Sequence, residues 1–102
     1  MDNSRQKGVL YIVVPCYNEE EALETSALKL LEKLHDLKKR EIVSNESRIV
    51  FVDDGSKDRT WDLIKGLYGS NEEIKGLRFA HNRGHQNAIL AGMLYSRKYC
   101  DY

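Results

Sequence analysis

The chain has 102 residues, of which 16 are Lys or Arg and 16 are Asp or Glu, so its formal net charge is zero. With 41% hydrophobic and 31% charged residues, the composition is that of one small globular domain and argues against a disordered chain. The balanced charge argues against a nucleic-acid-binding protein, which normally carries an excess of basic residues. No apolar stretch reaches membrane-spanning length, and no signal peptide is recognisable. With only two cysteines as well, we expect a cytoplasmic protein.

The first predicted element is a buried strand over residues 9–14. Its apolar, β-branched and aromatic residues form a continuous run, which is typical of a parallel strand covered on both faces. Pro15 is predicted to end this strand, because proline has no N–H to donate to a neighbouring strand. Asn18 is then predicted to cap a helix, with Glu21 reaching back to it in a capping box. Leucines at helical spacing continue this helix as far as Leu37.

Two further strand-and-helix pairs follow. A strand over residues 49–52 ends in two adjacent aspartates and a Gly-Ser turn, and a second helix follows that turn. The third strand is predicted over residues 74–80, where Lys and Arg residues favour a position at the edge of the sheet. A third helix is predicted over residues 86–96. Its internal Gly92 suggests close packing against another backbone, with a tolerated surface glycine as the alternative.

These elements alternate as β-α-β-α-β-α, which predicts an α/β fold with right-handed crossovers and a parallel sheet. In such sheets, ligands bind at the carboxyl ends of the strands. The segments expected there are residues 15–21, 53–58 and 81–85. A binding site is therefore expected to draw on these three segments.

The common glycine-rich phosphate-binding motifs are missing from the sequence. No G-x-G-x-x-G follows the first strand, which disfavours a dinucleotide site, and no G-x-x-x-x-G-K-S/T occurs. Glu19, Glu20 and Glu21 at the start of the first helix would repel a phosphate. A ligand there is expected to offer donors such as base N–H groups or ribose hydroxyls. Compensation of the helix dipole is the favoured alternative for Glu20 and Glu21.

Two further features suit a flat, polar ligand such as a nucleotide base. Tyr17 lies between the first strand and its helix, where the ring can stack on a base. Asp53 and Asp54 are adjacent at the end of a strand, so their side chains point to opposite sides. One is predicted to cap the following turn and the other to face the crevice. We assign a mixed structural role to Asp53 and the ligand role to Asp54, with two turn-capping acids as the alternative.

The third segment, residues 81–85, is basic, whereas the first two segments are rich in acidic side chains. Arg83 and His85 flank Gly84 just before a helix, and positive charge, exposed backbone and a helix N-terminus together suit a phosphate. Asn82 and Gln86 can add neutral hydrogen bonds. A solvated loop is the alternative.

The cysteines do not indicate further chemistry. Cys16 and Cys100 have no metal-ligand spacing with His81 or His85. Cys16 also lacks an assigned base that would make it a nucleophile. Neither a metal centre nor a catalytic thiol is predicted.

These blocks make the chain resemble family 2 glycosyltransferases, which have the GT-A fold. The resemblance extends from residue 9 to the end of the chain, and the spacing between its two main blocks also matches. The blocks are Val13-Val14-Pro15-Cys16-Tyr17-Asn18-Glu19-Glu20 and Val52-Asp53-Asp54-Gly55-Ser56-Lys57-Asp58-Arg59-Thr60. A third block resembles the branch with dolichol-phosphate mannose synthase and bacterial polyprenyl-phosphate glucosyltransferases. It consists of Asn82-Arg83-Gly84-His85-Gln86 with Ala88, Leu90, Ala91 and Gly92. Arg83 stands where that branch often has an aromatic residue.

The resemblance implies the nucleotide-sugar-binding part of a three-layer, Rossmann-like α/β fold. Pro15, Tyr17 and Glu19 match family residues that line the nucleoside pocket. Asp54 matches a residue that contacts the base, and Asp53 matches its neighbour. The implied reaction moves a glycosyl group from a nucleoside diphosphate sugar of the UDP or GDP type, commonly to a polyprenyl phosphate.

The resemblance also implies that other parts of the enzyme lie beyond Tyr102. In the family, Mg²⁺ or Mn²⁺ is held by a later D-x-D-type motif, and the acceptor site and any membrane-anchoring segments also come later. We therefore expect residues 1–102 to form a single partial domain, truncated before a fourth strand, with no catalytic residue or metal ligand of its own.

Three expectations about the whole protein follow. The complete enzyme is expected at the cytoplasmic face of a membrane, and this chain alone is expected to be inactive. We also expect the exposed edge of the first strand to support a homodimer. A stand-alone nucleotide-binding or regulatory module and a receiver-like signalling domain are the alternatives to a transferase.

Overall fold

Three strands and three helices alternate along residues 8–97 and 99, which are the residues that the computed structural model describes. The order is β-α-β-α-β-α, as predicted. Expectations about Cys100 and the end of the chain, and about the side chain of His85, lie outside the described residues. The elements are β1 (Tyr11–Cys16), α1 (Leu23–Lys39), β2 (Arg48–Asp53), α2 (Thr60–Ser70), β3 (Ile74–Arg78) and α3 (His85–Ser96).

The sheet is parallel and has the order β1-β2-β3. The predicted edge position of β3 is confirmed within the described sheet, and β1 forms the other edge. Val13 is paired with Val50, and Asp53 with Arg78. Because all three strands run in the same direction, the segments that follow them meet at one edge of the sheet.

Alternate side chains of β2 divide the core into two layers. Ile49 and Phe51 pack with apolar residues of α1 and α2, whereas Val50 and Val52 pack with Ala88 of α3. These four β2 side chains are completely buried. The helices therefore cover both faces of the sheet, which confirms the three-layer α/β fold.

Pro15 does not end the first strand as predicted, since β1 continues to Cys16. The carbonyl of Cys16 accepts the N–H of Asp54 at 2.8 Å, so the backbone of Cys16 faces β2. Because successive residues of a parallel strand face alternate sides, Pro15 turns its missing N–H away from β2. Proline is tolerated in edge strands in this orientation.

The predicted capping box at the start of α1 is wrong. The helix begins at Leu23, and its N-cap residue Ala22 makes no side-chain capping bond. Asn18 instead adopts the left-handed conformation (φ 52°), which asparagine tolerates better than most residues. Its side chain bonds to the segment after β2, as described below.

Gly92 marks a close approach between α3 and the sheet. A Cβ atom at this position would clash with Cγ1 of Val13 and would lie 3.1 Å from Cγ2 of Val52. The close packing predicted for Gly92 is present, but the nearest atoms belong to strand side chains and not to a backbone.

None of the helices in the described part combines the length and the apolar character needed to cross a bilayer.

Candidate functional site

The segments that follow the three strands are tied together at the carboxyl edge of the sheet. We call them loop 1 (residues 17–22), loop 2 (residues 54–59) and loop 3 (residues 79–84). At their base, Asp54 N–H donates to the carbonyl of Cys16, and Phe79 N–H donates to the carbonyl of Asp53 at 2.9 Å. The three predicted ligand segments therefore form one contiguous surface.

Side chains of loop 2 and of the first residue of α2 hold the backbone of loop 1. Three consecutive N–H groups of loop 1 are each accepted by a different side chain. The bonds run from Asn18 N–H to Ser56 Oγ (2.8 Å), from Glu19 N–H to Thr60 Oγ1 (2.7 Å) and from Glu20 N–H to Asp58 Oδ2 (3.2 Å). Ser56 and Thr60 are buried, so water does not compete freely for these bonds.

Two side chains of loop 1 in turn accept backbone N–H groups of loop 2. Oδ1 of Asn18 accepts the N–H of Lys57 at 2.9 Å, and Oε1 of Glu20 accepts the N–H of Arg59 at 3.1 Å. The two loops are therefore interlocked in both directions. These pairings were not predicted from the sequence, although the polar side chains of Ser56, Asp58 and Thr60, at every second position, were an available signal.

Asp58 also bonds locally. Its Oδ1 accepts both the N–H and the hydroxyl of Thr60, at 2.9 and 2.5 Å. Desolvation raises the pKa of Asp58, but these bonds and the one from Glu20 together outweigh it and hold that pKa below its usual value. Asp58 is thus an ionised acceptor at neutral pH and fixes the start of α2 against loop 1.

Asp53 makes the turn-capping contact. It is completely buried, and its Oδ1 accepts the N–H of Ser56 at 3.2 Å. Its other oxygen, Oδ2, lies 3.6 Å from Nε of Arg78. Through its bond to the Ser56 N–H, Asp53 therefore fixes the turn of loop 2.

Asp54 connects loop 2 to loop 3. The residue is only 3% exposed, and its Oδ1 accepts the N–H of Arg83 at 2.7 Å. This bond uses one of the two carboxylate oxygens and was not predicted from the sequence. The ligand role of Asp54 stays a prediction.

Gly55 lets loops 2 and 3 touch. Its φ is +73°, and a Cβ atom there would lie 2.5 Å from both the amide nitrogen of Asn82 and the carbonyl carbon of His81. A side chain at this position would meet backbone atoms, which cannot rotate away. Glycine is therefore required for two reasons, the positive φ and the close approach to the backbone of loop 3.

The other predicted nucleoside residues lie along loop 1. Tyr17 is 41% exposed, so part of its ring is accessible to a ligand. Glu19 is exposed, and Pro15 is partly buried in β1. A small cavity of about 110 Å³ adjoins this loop, and Pro15, Cys16 and Glu19 are among its lining residues.

The predicted phosphate residues surround the start of α3. Arg83 and Gln86 are exposed, and Gly84 is the N-cap residue with φ 95°. His85 is the first residue of the helix. A cavity of about 420 Å³ beside loop 3 is lined by Arg78, Phe79, Ala80, Arg83 and Asn87.

A cavity of the same volume lies away from the three loops. Its lining comes from the end of α1 and the connection to β2, over residues 38–46. That connection precedes β2, so this cavity lies at the amino edge of the sheet. Because ligands of parallel sheets bind at the carboxyl edge, we place the candidate site at loops 1–3.

Cys16 is buried beneath loop 1. Burial raises the pKa of the Cys16 thiol to about 12, and the nearby carboxylates of Glu19 and Asp53 act in the same direction. The thiol is therefore protonated at neutral pH, which does not suit a nucleophile.

The described residues do not fit the divalent metal that the resemblance implies. Within residues 8–97 and 99, no group of three or more His, Cys, Asp or Glu side chains is arranged to hold a metal ion. The two adjacent acids, Asp53 and Asp54, are each already bonded to a backbone N–H, of Ser56 and Arg83 respectively.

Comparisons with known proteins agree with this architecture. Residues 11–100 match the family Glycosyl transferase family 2. The chain is 47% identical over 89 residues to the uncharacterized glycosyltransferase YkoT of Bacillus subtilis, a match that covers 87% of this chain and 26% of YkoT. It is 39% identical over 82 residues to the prophage bactoprenol glucosyl transferase homolog of Escherichia coli, and 38% identical over 82 residues to the bactoprenol glucosyl transferase of Shigella phage SfV. Each of these matches covers 80% of this chain and 25% of the relative.

The chain thus spans about a quarter of the length of the curated relatives that it matches. Its parallel β-α-β-α-β-α arrangement is that of the N-terminal half of the Rossmann-like GT-A fold. Since the family match covers most of its residues, the chain belongs to glycosyl transferase family 2.

Proposed function

We propose that this chain forms the nucleotide-binding part of a glycosyltransferase that moves a sugar from a nucleoside diphosphate sugar, of the UDP or GDP type, to a polyprenyl phosphate. The observation that carries the proposal is the joining of loops 1–3, with an accessible Tyr17 and the buried acids Asp53 and Asp54 at one edge of the sheet. The names of two relatives, a bactoprenol glucosyl transferase and a homolog of one, support a polyprenyl-phosphate acceptor.

In this proposal, loop 1 and the two acids bind the nucleoside. Tyr17 stacks on the base, while Pro15 and Glu19 line the pocket. Asp54 accepts a hydrogen bond from the base, and Asp53 holds the turn beside it. Carboxylates suit this role because base N–H groups and ribose hydroxyls are donors.

Loop 3 and the start of α3 receive the diphosphate. Arg83 supplies an exposed guanidinium group, and Gly84, His85 and Gln86 place the positive end of the helix dipole beside it. The base and the diphosphate would thus lie on adjoining loops, which the Asp54 to Arg83 bond connects.

The chemical step is assigned to the rest of the protein. Residues 1–102 are proposed as one partial domain without a catalytic residue, while the metal ligands and the acceptor site come from later segments. The complete enzyme would work at the cytoplasmic face of a membrane, where its lipid acceptor is accessible.

Calorimetric titration with UDP and GDP tests the nucleotide site. We expect a Kd in the high-micromolar to millimolar range, equivalent to roughly 4–6 kcal/mol. Asp54→Asn keeps an oxygen that can accept the Arg83 N–H but removes the charge, and it should weaken binding at least tenfold. Glu24→Ala, an exposed acid of α1, is the matched control and should bind like the wild type. Equal binding by Asp54→Asn would contradict the assignment.

A transfer assay tests whether this chain alone can catalyse the glycosyl transfer. Radiolabelled nucleotide sugars and polyprenyl phosphate, supplied with Mn²⁺, should give no product above the rate without protein. Transfer by this chain alone would show that its own residues carry the catalytic step.

We further propose that the chain dimerises through the β1 edge. β1 is an edge strand of the described sheet, and α3 packs above it with Leu90, Met93 and Leu94 at least half exposed. A long uncharged edge beside an apolar helix face favours association with a second copy.

A further inference from the structure

Arg78, the last residue of β3, lies beside the buried acid of loop 2. The backbone register pairs Arg78 with Asp53, which places their side chains on the same face of the sheet. Nε of Arg78 lies 3.6 Å from Oδ2 of Asp53. The Asp53 side chain is completely buried, and this oxygen accepts no hydrogen bond from the described residues. The ion pair with Arg78 therefore compensates a charge that burial would otherwise make unfavourable.

The guanidinium group of Arg78 also contacts Trp61 of α2. The Arg78 guanidinium carbon lies 5.7 Å from the centre of the Trp61 ring, within the range of a cation–π contact. An arginine fits this position better than a lysine, because its planar head can stack on the ring while one N–H faces the carboxylate.

The ion pair is the first link in a continuous series of contacts that reaches loop 1. The carboxylate of Asp53 accepts the N–H of Ser56 through its other oxygen, at 3.2 Å. The hydroxyl of Ser56 in turn accepts the N–H of Asn18, at 2.8 Å. A change in the orientation of the Asp53 carboxylate would therefore move the turn of loop 2, and with it the start of loop 1.

We propose that Arg78 is a positioning residue of the nucleotide site, acting through Asp53 to set the position of loop 1 and of Tyr17. The proposal rests on the proposed function, because the quantity that Arg78 controls is nucleotide affinity. Nothing in the sequence pattern singled out Arg78 for this role, since a cation in an edge strand is ordinarily a solubility feature.

The first experiment needs no ligand. Amide NMR spectra are compared for the wild type, Arg78→Met and Arg78→Lys, with Arg40→Met as control because Arg40 pairs with Asp36 on the surface of α1. Arg78→Met should shift the amide signals of Ser56 and Asn18, and Arg78→Lys should restore them in part. Arg40→Met should leave both signals in place. Unchanged Ser56 and Asn18 signals in Arg78→Met would overturn the proposal, whether or not the chain binds nucleotide.

A double-mutant cycle then separates positioning from direct contact. At a temperature where all variants are folded, Arg78→Met should raise the Kd for UDP or GDP about tenfold, which corresponds to roughly 1.4 kcal/mol. In an Asp53→Asn background the same change should have almost no further effect. Additive losses would show that Arg78 touches the nucleotide directly, and a lowered melting temperature with unchanged Kd would show a purely structural role. Either result would overturn the proposal, whereas absence of binding by the wild type would count against the proposed function alone.

Discussion

Gly55 shows how a single residue determines whether the site can form. Its positive φ and the 2.5 Å approach to backbone atoms of residues 81 and 82 leave no room for a side chain. Gly84 has a positive φ as well, but a Cβ atom there would meet nothing within 4 Å. A side chain at Gly84 would therefore meet conformational strain alone, whereas a side chain at Gly55 would meet both conformational strain and a steric clash.

We expect Gly55→Ala to destabilise the chain more than Gly84→Ala. Gly84→Ala should cost about 1–3 kcal/mol, because alanine is strained in this conformation. Gly55→Ala carries the same strain and must also separate loops 2 and 3. Urea denaturation of the two variants measures the difference, and equal losses would show that the backbone contact at Gly55 contributes nothing.

The Cys16 thiol gives a pH-dependent prediction. Its pKa rises from 9.0 to about 12 on folding, because burial disfavours the thiolate. The contribution of the protonated thiol to stability is thus complete below pH 9 and is lost as the pH rises towards 12. The free energy of unfolding should fall by about 1.4 kcal/mol for each pH unit above 9 through this group.

Cys16→Ala provides the control for this titration. Lysines and tyrosines titrate in the same range in both proteins, so only the difference between their unfolding free energies is informative. We expect this difference to shrink as the pH rises from 9 to 10.5. A difference that stays constant over this range would mean that the thiol is not desolvated.

At the scale of elements, helical glycines divide into two kinds. Gly92 of α3 lies against Val13 and Val52, whereas a Cβ atom on Gly69 of α2 would meet nothing within 4 Å. Gly69→Ala should therefore stabilise the chain by about 0.5–1 kcal/mol through helix propensity. Gly92→Ala should destabilise it by about 1–3 kcal/mol, because the new methyl group overpacks the contact between α3 and β1.

Thermal or urea unfolding of these two alanine variants measures the change in the free energy of unfolding. We expect Gly69→Ala to raise this free energy and Gly92→Ala to lower it. Stabilisation by Gly92→Ala would contradict the described contact between α3 and the sheet.

The order of elements could be predicted because it depends on local patterns. Continuous apolar runs and leucines at helical spacing are sufficient to place β1, β2 and α1 within a few residues. The prediction that a ligand binds at the carboxyl edge followed from the parallel topology alone. The capping box failed because Asn18 bonds to Lys57, a residue 39 positions away. A local rule cannot take such a partner into account.

The internal bonds of the site were less predictable for the same reason. The sequence indicated that Asp53 or Asp54 would cap a turn, and Asp53 does bond to Ser56. It did not indicate that Asp54 would accept from Arg83, nor that Thr60 would accept from Glu19. Those contacts join residues that are far apart in the sequence and that lie together because the three strands end at the same edge of the sheet.

At the scale of the whole molecule, the β1 edge and the apolar face of α3 beside it favour association of two copies. Leu90, Met93 and Leu94 lie at least half exposed on the helix that packs against the edge strand β1. We expect sedimentation equilibrium to show a dimer whose population rises with concentration. Met93→Lys should shift this equilibrium towards monomer, because it places a charge in the proposed contact.

Leu28→Lys is the control for this experiment. Leu28 is an exposed leucine of α1, on the opposite side of the sheet, and its substitution should leave the dimer intact. A monomer at all concentrations, or a dimer that Met93→Lys does not weaken, would contradict the proposed interface.

We propose that loops 1–3 form one nucleotide site at the carboxyl edge of the sheet. Amide NMR mapping during titration with UDP and GDP tests it most directly. We expect the largest shifts at Tyr17, Asp54 and Gly84, which represent the three loops and the start of α3. Little change is expected around Ser44 at the opposite edge, where a cavity of similar volume lies. Shifts centred on Ser44, or no shifts in loops 1–3 at millimolar nucleotide, would contradict the account.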